Sequence, residues 1–255
     1  MTRTLFVDLD STLVENRFSL RVLRSILEEI QAQTSEALES LWRALNAENM
    51  RRQREAPDHP LTMDWDDIAE TIARERGVTL QQRVIDLWRA YASAEEVDIL
   101  DDAPAMLRQM RASGWRIVLA TKGLSKYQIP VLEATGMHDL FDDMLTPDLT
   151  GYLKTSPDFF ARYTSKAGDT FVHLGDHYYD DVICARRNGF LSILRAPIAE
   201  LSAIHPLERP VYLGDFIDRI STYPREGSDV RPHAVVLSLQ EVPAVITTLE
   251  GRSVK

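Results

Sequence analysis

Two carboxylates close the first apolar run of this chain. Asp8 and Asp10 follow Leu5, Phe6 and Val7, and Thr12 continues the same spacing. Such a run reads as a buried strand, and alternation along a strand puts residues i and i+2 on the same side. Two like charges held that close repel, which raises the pKa of each unless something positive sits between them. A divalent cation meets the need, because hard oxygen ligands suit Mg²⁺. The alternative is a strand running into a polar turn, with Asp10, Ser11 and Thr12 capping a helix.

The elements that position these acids read in two blocks. After Val14 the pattern turns helical and stays so to about Val97. Leu20, Leu23, Leu27 and Ile30 share one face, and Leu41, Trp42 and Leu45 belong to a second stripe. Asp64 opens a third helix carrying Ile68 and Ile72, which Gly77 ends. Val84, Leu87, Trp88 and Tyr91 mark a fourth. Four such helices can pack as a small bundle. From Leu100 strands and helices alternate, with strands predicted at 115–120, 144–146, 171–174, 191–194 and 234–237. Helices are predicted at 105–113, 125–134, 157–166, 180–188 and 241–249. That order implies an α/β, Rossmann-like parallel sheet with helices on both faces, whose strand carboxyl ends open on one crevice. Residues 196–230, with Pro197, Pro206, Pro210 and Pro224, show little periodicity.

Polar groups recur where those strands end. Thr121, Lys122 and Gly123 follow the second, Lys154 precedes the helix predicted from Pro157, and Gly175-Asp176 follows the strand ending at Leu174, with Asp180 and Asp181 on the next turn. In this order, over residues 4–190, the pattern resembles the haloacid dehalogenase-like (HAD) hydrolase superfamily. The four matching motifs are hydrophobic-Asp-x-Asp-x-Thr at 7–12, a strand ending in Thr121, Lys154 ahead of Pro157, and Gly175-Asp176 with a second acid at Asp181.

The resemblance implies a Mg²⁺-dependent phosphatase. Asp8 is then the nucleophile that forms an acyl phosphate, and Asp10 protonates the leaving alkoxide and later takes a proton from water. Thr121 donates to the phosphoryl group, and Lys154 balances its charge and keeps Asp8 ionised. Mg²⁺ is held by Asp8, the backbone carbonyl of Asp10, Asp176 and waters, while Asp181 orients Lys154 or a water on the metal. Halide release needs no proton, so an acid at Asp10 favours a phosphate ester. Residues 1–14 and 98–255 match the family's core, and residues 15–97 match its helical cap. Asn16 and Arg17, next along from the nucleophile, are candidate substrate contacts, as are His177 and Lys122, which stands where many members carry Asn. For Lys122 a solvated loop lysine is the alternative. Trp42, Trp65 and Trp88 read as interior residues of the helical block, and His173 as a packed strand residue. Residues 214–218 imitate the fourth motif with a shorter spacing to the next acid.

A length of 255 residues, 44% of them hydrophobic, supports a core domain with a smaller companion. A net charge of −10 disfavours nucleic acid and anionic membranes as partners. Cys184 is the only cysteine, which fits a reducing compartment. With no leader-like or membrane-length apolar run, a cytoplasmic protein acting on a small phosphorylated metabolite is expected. A phospho-acceptor signalling domain, a non-catalytic scaffold, and a dehalogenase or phosphonate hydrolase of the same superfamily are the competing readings.

Overall fold

The computed structural model describes residues 2–56, 59–163, 167–216, 220 and 230–253. In chain order these form β1 (Arg3–Val7), β2 (Val14–Asn16), α1 (Ser19–Thr34), α2 (Leu38–Glu55), α3 (Trp65–Glu75), α4 (Val84–Tyr91), β3 (Val97–Ile99), α5 (Ala103–Ala112) and β4 (Arg116–Ala120). There follow α6 (Ser125–Ala134), β5 (Asp143–Leu145), α7 (Pro147–Thr150), β6 (Thr170–Gly175), α8 (Cys184–Arg187), β7 (Leu191–Arg195), β8 (Ala234–Val236) and α9 (Val242–Ser253).

Six strands form one sheet in the order β5-β4-β1-β6-β7-β8, every pair parallel. β1 lies inside it, and Leu5, Phe6 and Val7 have no solvent exposure. Alternation sends Leu5 and Val7 to one core cluster and Phe6 to another on the opposite face. Both faces are thus covered, as a parallel sheet requires. This is the α/β, Rossmann-like arrangement expected from the alternating pattern.

Three local expectations need correction. Val14 does not lead directly into helix: β2 pairs antiparallel with β3, Val14 against Ile99 and Asn16 against Val97. Helices α1 to α4 are inserted between these two strands, which are three residues each and too short to show alternation in sequence. Residues 157–166 are not a helix across the described part; one tight turn, Pro157–Phe160, follows Ser156, whose hydroxyl caps it, and residues 164–166 lie outside the described set. The segment expected as a helix at 180–188 begins with a π-turn, Tyr178–Ile183, before α8. π-turns recur at functional sites, and this one sets both Asp180 and Asp181 in the wall of a cavity.

The helical faces expected in the insertion are buried at Leu23, Leu27, Ile30, Leu41, Leu45, Ile68, Ile72, Val84 and Trp88, whereas Leu20 is exposed. Within 196–216, short turns hang on Arg209, which donates to the Val235 carbonyl and to Glu241. Pro57, Asp58, residues 217–218 of the decoy motif and Pro224 lie outside the described residues.

Candidate active site

The carboxyl ends of β1, β4 and β6 meet in a cavity of about 290 Å³. Asp8 and Asp10 reach it from β1, Thr121 to Gly123 from β4, and Asp176 and His177 from β6. Lys154 comes up from the loop before Pro157 and is almost wholly buried. Its Nζ lies 2.8 Å from Asp8 Oδ1 and 2.5 Å from Asp181 Oδ1. Burial lowers the affinity of Lys154 for its proton, but the charges of Asp181 and Asp8 outweigh that and hold it an ammonium above the ordinary lysine range. Thr12 Oγ1 is shared between Asp176 Oδ1 at 3.2 Å and Asp8 Oδ2 at 3.4 Å. Of the residues singled out in the four motifs, Asp8, Asp10, Thr121, Lys154, Asp176 and Asp181 all line this one cavity.

Asp181 explains why glycine precedes Asp176. A Cβ built on Gly175 would stand 2.1 Å from Asp181 Cγ. The carboxylate fills that space, takes the Lys154 ammonium on one oxygen and accepts the His177 backbone N–H at 2.7 Å on the other. Gly175→Ala must therefore expel Asp181 and release Lys154. We expect turnover to fall about 10²-fold, the loss that follows misplacement of a positioning group by about an ångström. Steady-state kinetics together with the melting midpoint check this, since a merely local strain would lower the midpoint and spare kcat.

Gln128 carries no motif signature, yet it is buried here and donates from Nε2 to Asp10 Oδ2 at 3.2 Å. Gly123 makes room for it: a Cβ there would lie 1.8 Å from that nitrogen. Trp65 and Trp88, expected as interior residues, also line the cavity with Met63 and Tyr127. Lys122 lines it too, with Nζ 3.4 Å from Asp180 Oδ2. His177 does so while its Nδ1 accepts from the Asp180 N–H. Asn16 and Arg17 do not. The Asn16 carboxamide accepts from the Phe18 and Ser19 N–H groups at 3.2 Å, and Arg17 pairs outward with Asp98. Asn16 is instead paired in the β2–β3 ribbon, opposite Val97, with Arg17 following it. His173 is packed as expected, between Phe6 and Phe160. Among the described residues its ring nitrogens have no hydrogen-bond partner, Nε2 lying 3.7 Å from Asp181 Oδ1, and burial, with the Lys154 charge, holds it neutral.

Among the described residues, Asp8, Asp176 and Asp181 offer carboxylate oxygens within 4.8 Å of one another. Asp181 has both oxygens engaged, so the pair left to face a cation is Asp8 and Asp176; the Asp10 side chain stands outside this group, on Gln128. Burial raises the pKa of Asp8, with Asp181 adding and Lys154 opposing. Burial also raises that of Asp176, with Asp8 adding. Asp10 is pushed up to about 6 by burial first and by Asp8 second. Acids thus outnumber bases at a buried point, and a hard divalent cation fits that donor set.

A parallel sheet whose strand ends gather acids, a threonine and a lysine belongs to the α/β class that binds its ligands at the strand termini. The profile of haloacid dehalogenase-like hydrolases matches residues 2–189, and the chain belongs to that family. A ribulose-1,5-bisphosphate 5-phosphatase of Halopiger xanaduensis is 30% identical over 126 residues, 48% of this chain and 52% of that protein. The chain spans about half the length of the curated relatives it matches. A HAD phosphatase structure from Thermococcus onnurineus superposes with a TM-score of 0.70 at 16% identity, covering 96% of this chain and 98% of that one. A 2-haloacid dehalogenase from Pseudomonas syringae superposes with a TM-score of 0.63 at 18% identity, over 98% and 100%. At such identities these two share the fold. No helix among the described residues is long and apolar enough to cross a membrane.

Proposed function

We propose that the chain is a Mg²⁺-dependent phosphatase that hydrolyses a small phosphorylated metabolite through a phospho-aspartate on Asp8. In this reading residues 15–97 are a cap over the core formed by 1–14 and 98–255. The observation that carries it is the unlike setting of two neighbouring carboxylates: Asp8 is held by the Lys154 ammonium, while Asp10 is held by the neutral Gln128 amide. Burial lifts both carboxyls to about 6, so what separates them is the partner: the Lys154 ammonium favours the ionised form of Asp8, as a nucleophile needs, while the neutral amide gives Asp10 no countercharge, which suits an acid that also serves as base near neutrality.

Lys154 engages Oδ1 of Asp8, leaving Oδ2 to attack phosphorus in line with the ester oxygen. The P–O bond to the alcohol breaks as Asp10 delivers its proton to the leaving oxygen. Asp10, now a carboxylate, takes a proton from water, whose oxygen attacks phosphorus and frees Asp8 and inorganic phosphate. Thr121 donates to a phosphoryl oxygen and Lys154 balances the transferred charge. Mg²⁺ held by Asp8, Asp176 and the Asp10 carbonyl supplies further neutralisation of the phosphoryl oxygens. A single cysteine and a phosphorylated metabolite as substrate fit a cytoplasmic setting.

Phosphate release from p-nitrophenyl phosphate, with Mg²⁺ or with a chelator, tests the reading. Many turnovers are expected with Mg²⁺ and none with the chelator. One stoichiometric acyl phosphate would indicate a phospho-acceptor domain, and halide release from 2-haloacids without phosphatase activity would indicate a dehalogenase. Mg²⁺ is also expected to raise the melting midpoint more at pH 8 than at pH 5. Carboxylates with raised folded pKa values contribute stability below their unfolded pKa of about 4 and lose it as pH climbs through the folded values. Without metal the cluster therefore weakens from pH 5 to pH 8, and the cation restores what is lost. Equal stabilisation at both pH values argues against Mg²⁺ binding at these acids.

A further inference from the structure

The cavity has a second wall that the proposed chemistry does not use. Met63 and Trp65 stand on either side of Asp64 at the start of α3, Trp88 comes from α4 and Tyr127 from α6. The polar handles of Trp88 and Tyr127 are already spent. Trp88 Nε1 donates to the Tyr127 carbonyl at 2.8 Å. The Tyr127 hydroxyl accepts from the Asp66 N–H at 2.9 Å and lies 3.1 Å from carboxylate oxygens of Asp64 and Asp66. Lys126 pairs with the same two acids at 2.7 and 2.8 Å, tying the turn that carries Met63 and Trp65 to α6. Trp88 packs against Phe18 and Tyr127 at centroid distances of 5.0 and 5.2 Å. The wall is thus held in place by contacts within the protein, with Met63, Trp65, Trp88 and Tyr127 lining the cavity.

The charges lining the cavity point the same way. Its lysines are both committed, Lys154 to Asp8 and Asp181, Lys122 to Asp180. No arginine lines it among the described residues. On the wall of Met63, Trp65, Trp88 and Tyr127 a second phosphate on the leaving group would meet no cation, and a polyhydroxylated sugar seated there would set hydroxyls against carbon, which costs free energy without partners. A flat apolar group would instead stack on the rings. The volume sits at the small end for ligand cavities, roughly 300–1,000 Å³.

Resting on the phosphatase reading, we infer that the substrate is a monophosphate ester of a small uncharged alcohol with an aromatic or similarly flat apolar face, seated on Met63, Trp65, Trp88 and Tyr127. It is not a sugar bisphosphate of the kind named for the Halopiger relative.

Benzyl phosphate and ribose 5-phosphate test this, since both release an alkoxide and differ in the face they present. With Mg²⁺ present, kcat/KM for benzyl phosphate is expected to exceed that for ribose 5-phosphate at least tenfold. Trp65→Ala should cut that ratio about tenfold, and Trp65→Phe should restore most of it. If Trp65→Ala does not fold by circular dichroism, Met63→Ala reads the same wall. Preference for ribose 5-phosphate or ribulose 1,5-bisphosphate, or an equal loss on both esters in the variant, overturns the inference and leaves the phosphatase reading standing. No turnover of any of the three esters while p-nitrophenyl phosphate is still hydrolysed overturns the inference alone; no turnover of p-nitrophenyl phosphate either removes both.

Discussion

Replacing Asp8 by Asn is expected to abolish phosphate release, by about 10⁴-fold or more, the scale on which an unreplaced nucleophile is missed. An amide has the same shape but cannot form the acyl phosphate, and neither Asp10 nor Asp176 shares its contact with Lys154. The same variant should not be less stable. Asp8 is buried among carboxylates and its folded pKa is raised, so its charge costs stability above that pKa. Asn removes the charge while Lys154 keeps Asp181. In the absence of metal the melting midpoint of the variant should equal or exceed that of the natural chain at pH 8, and the gap should close at pH 5, where Asp8 is protonated anyway. Steady-state assays, acid-quench trapping of phosphoenzyme and melts at both pH values measure all three effects. Residual turnover within tenfold of the natural chain would remove Asp8 as nucleophile.

The acids were legible because strand chemistry and spacing speak together. A short apolar run before Asp8-x-Asp10 has few other uses, and Lys154, Gly175-Asp176 and Asp181 each sit at a strand end or in the loop beside one. What was not legible is set by contacts distant in sequence. Gln128 enters the site only because Gly123 has no Cβ to stop it, a relation between two loop and helix positions that no periodicity records. Trp65 and Trp88 obey helical spacing, which says which face is apolar but not that this face ends at a cavity. That Asn16 and Arg17 stay out of the cavity lining follows from a ribbon of three paired residues, too few to alternate visibly in sequence. The π-turn at Tyr178–Ile183 looks like an ordinary helix start in sequence. Its extra residue lets two consecutive acids serve different cations, Asp180 for Lys122 and Asp181 for Lys154.

That division of labour puts Lys154 at the centre of the site's charge balance. Its ammonium is 1% exposed and joins two buried carboxylates from different elements. Lys154→Met keeps the length and apolar stem and removes the charge alone. Removing one partner of a buried ion pair costs about 3–5 kcal/mol, which for a chain of this size corresponds to a midpoint drop on the order of 10 °C. The loss should depend on pH with a definite sign. Lys154 is what holds the pKa of Asp8 down against burial; without it that value climbs further. Stability from the neutral acid is then present at low pH and disappears as pH rises through the higher folded value. The drop should be larger at pH 8 than at pH 5, and added Mg²⁺ should recover part of it at pH 8 by supplying a second positive charge to the same oxygens. Phosphate release should fall at least about 10³-fold, because the variant loses both the ionisation of its nucleophile and the charge facing the phosphoryl group. Melts at both pH values, with and without Mg²⁺, read the electrostatic part separately from lost packing. A midpoint that falls equally at both pH values would show that Lys154 acts as a spacer and that the acids around it do not share its charge.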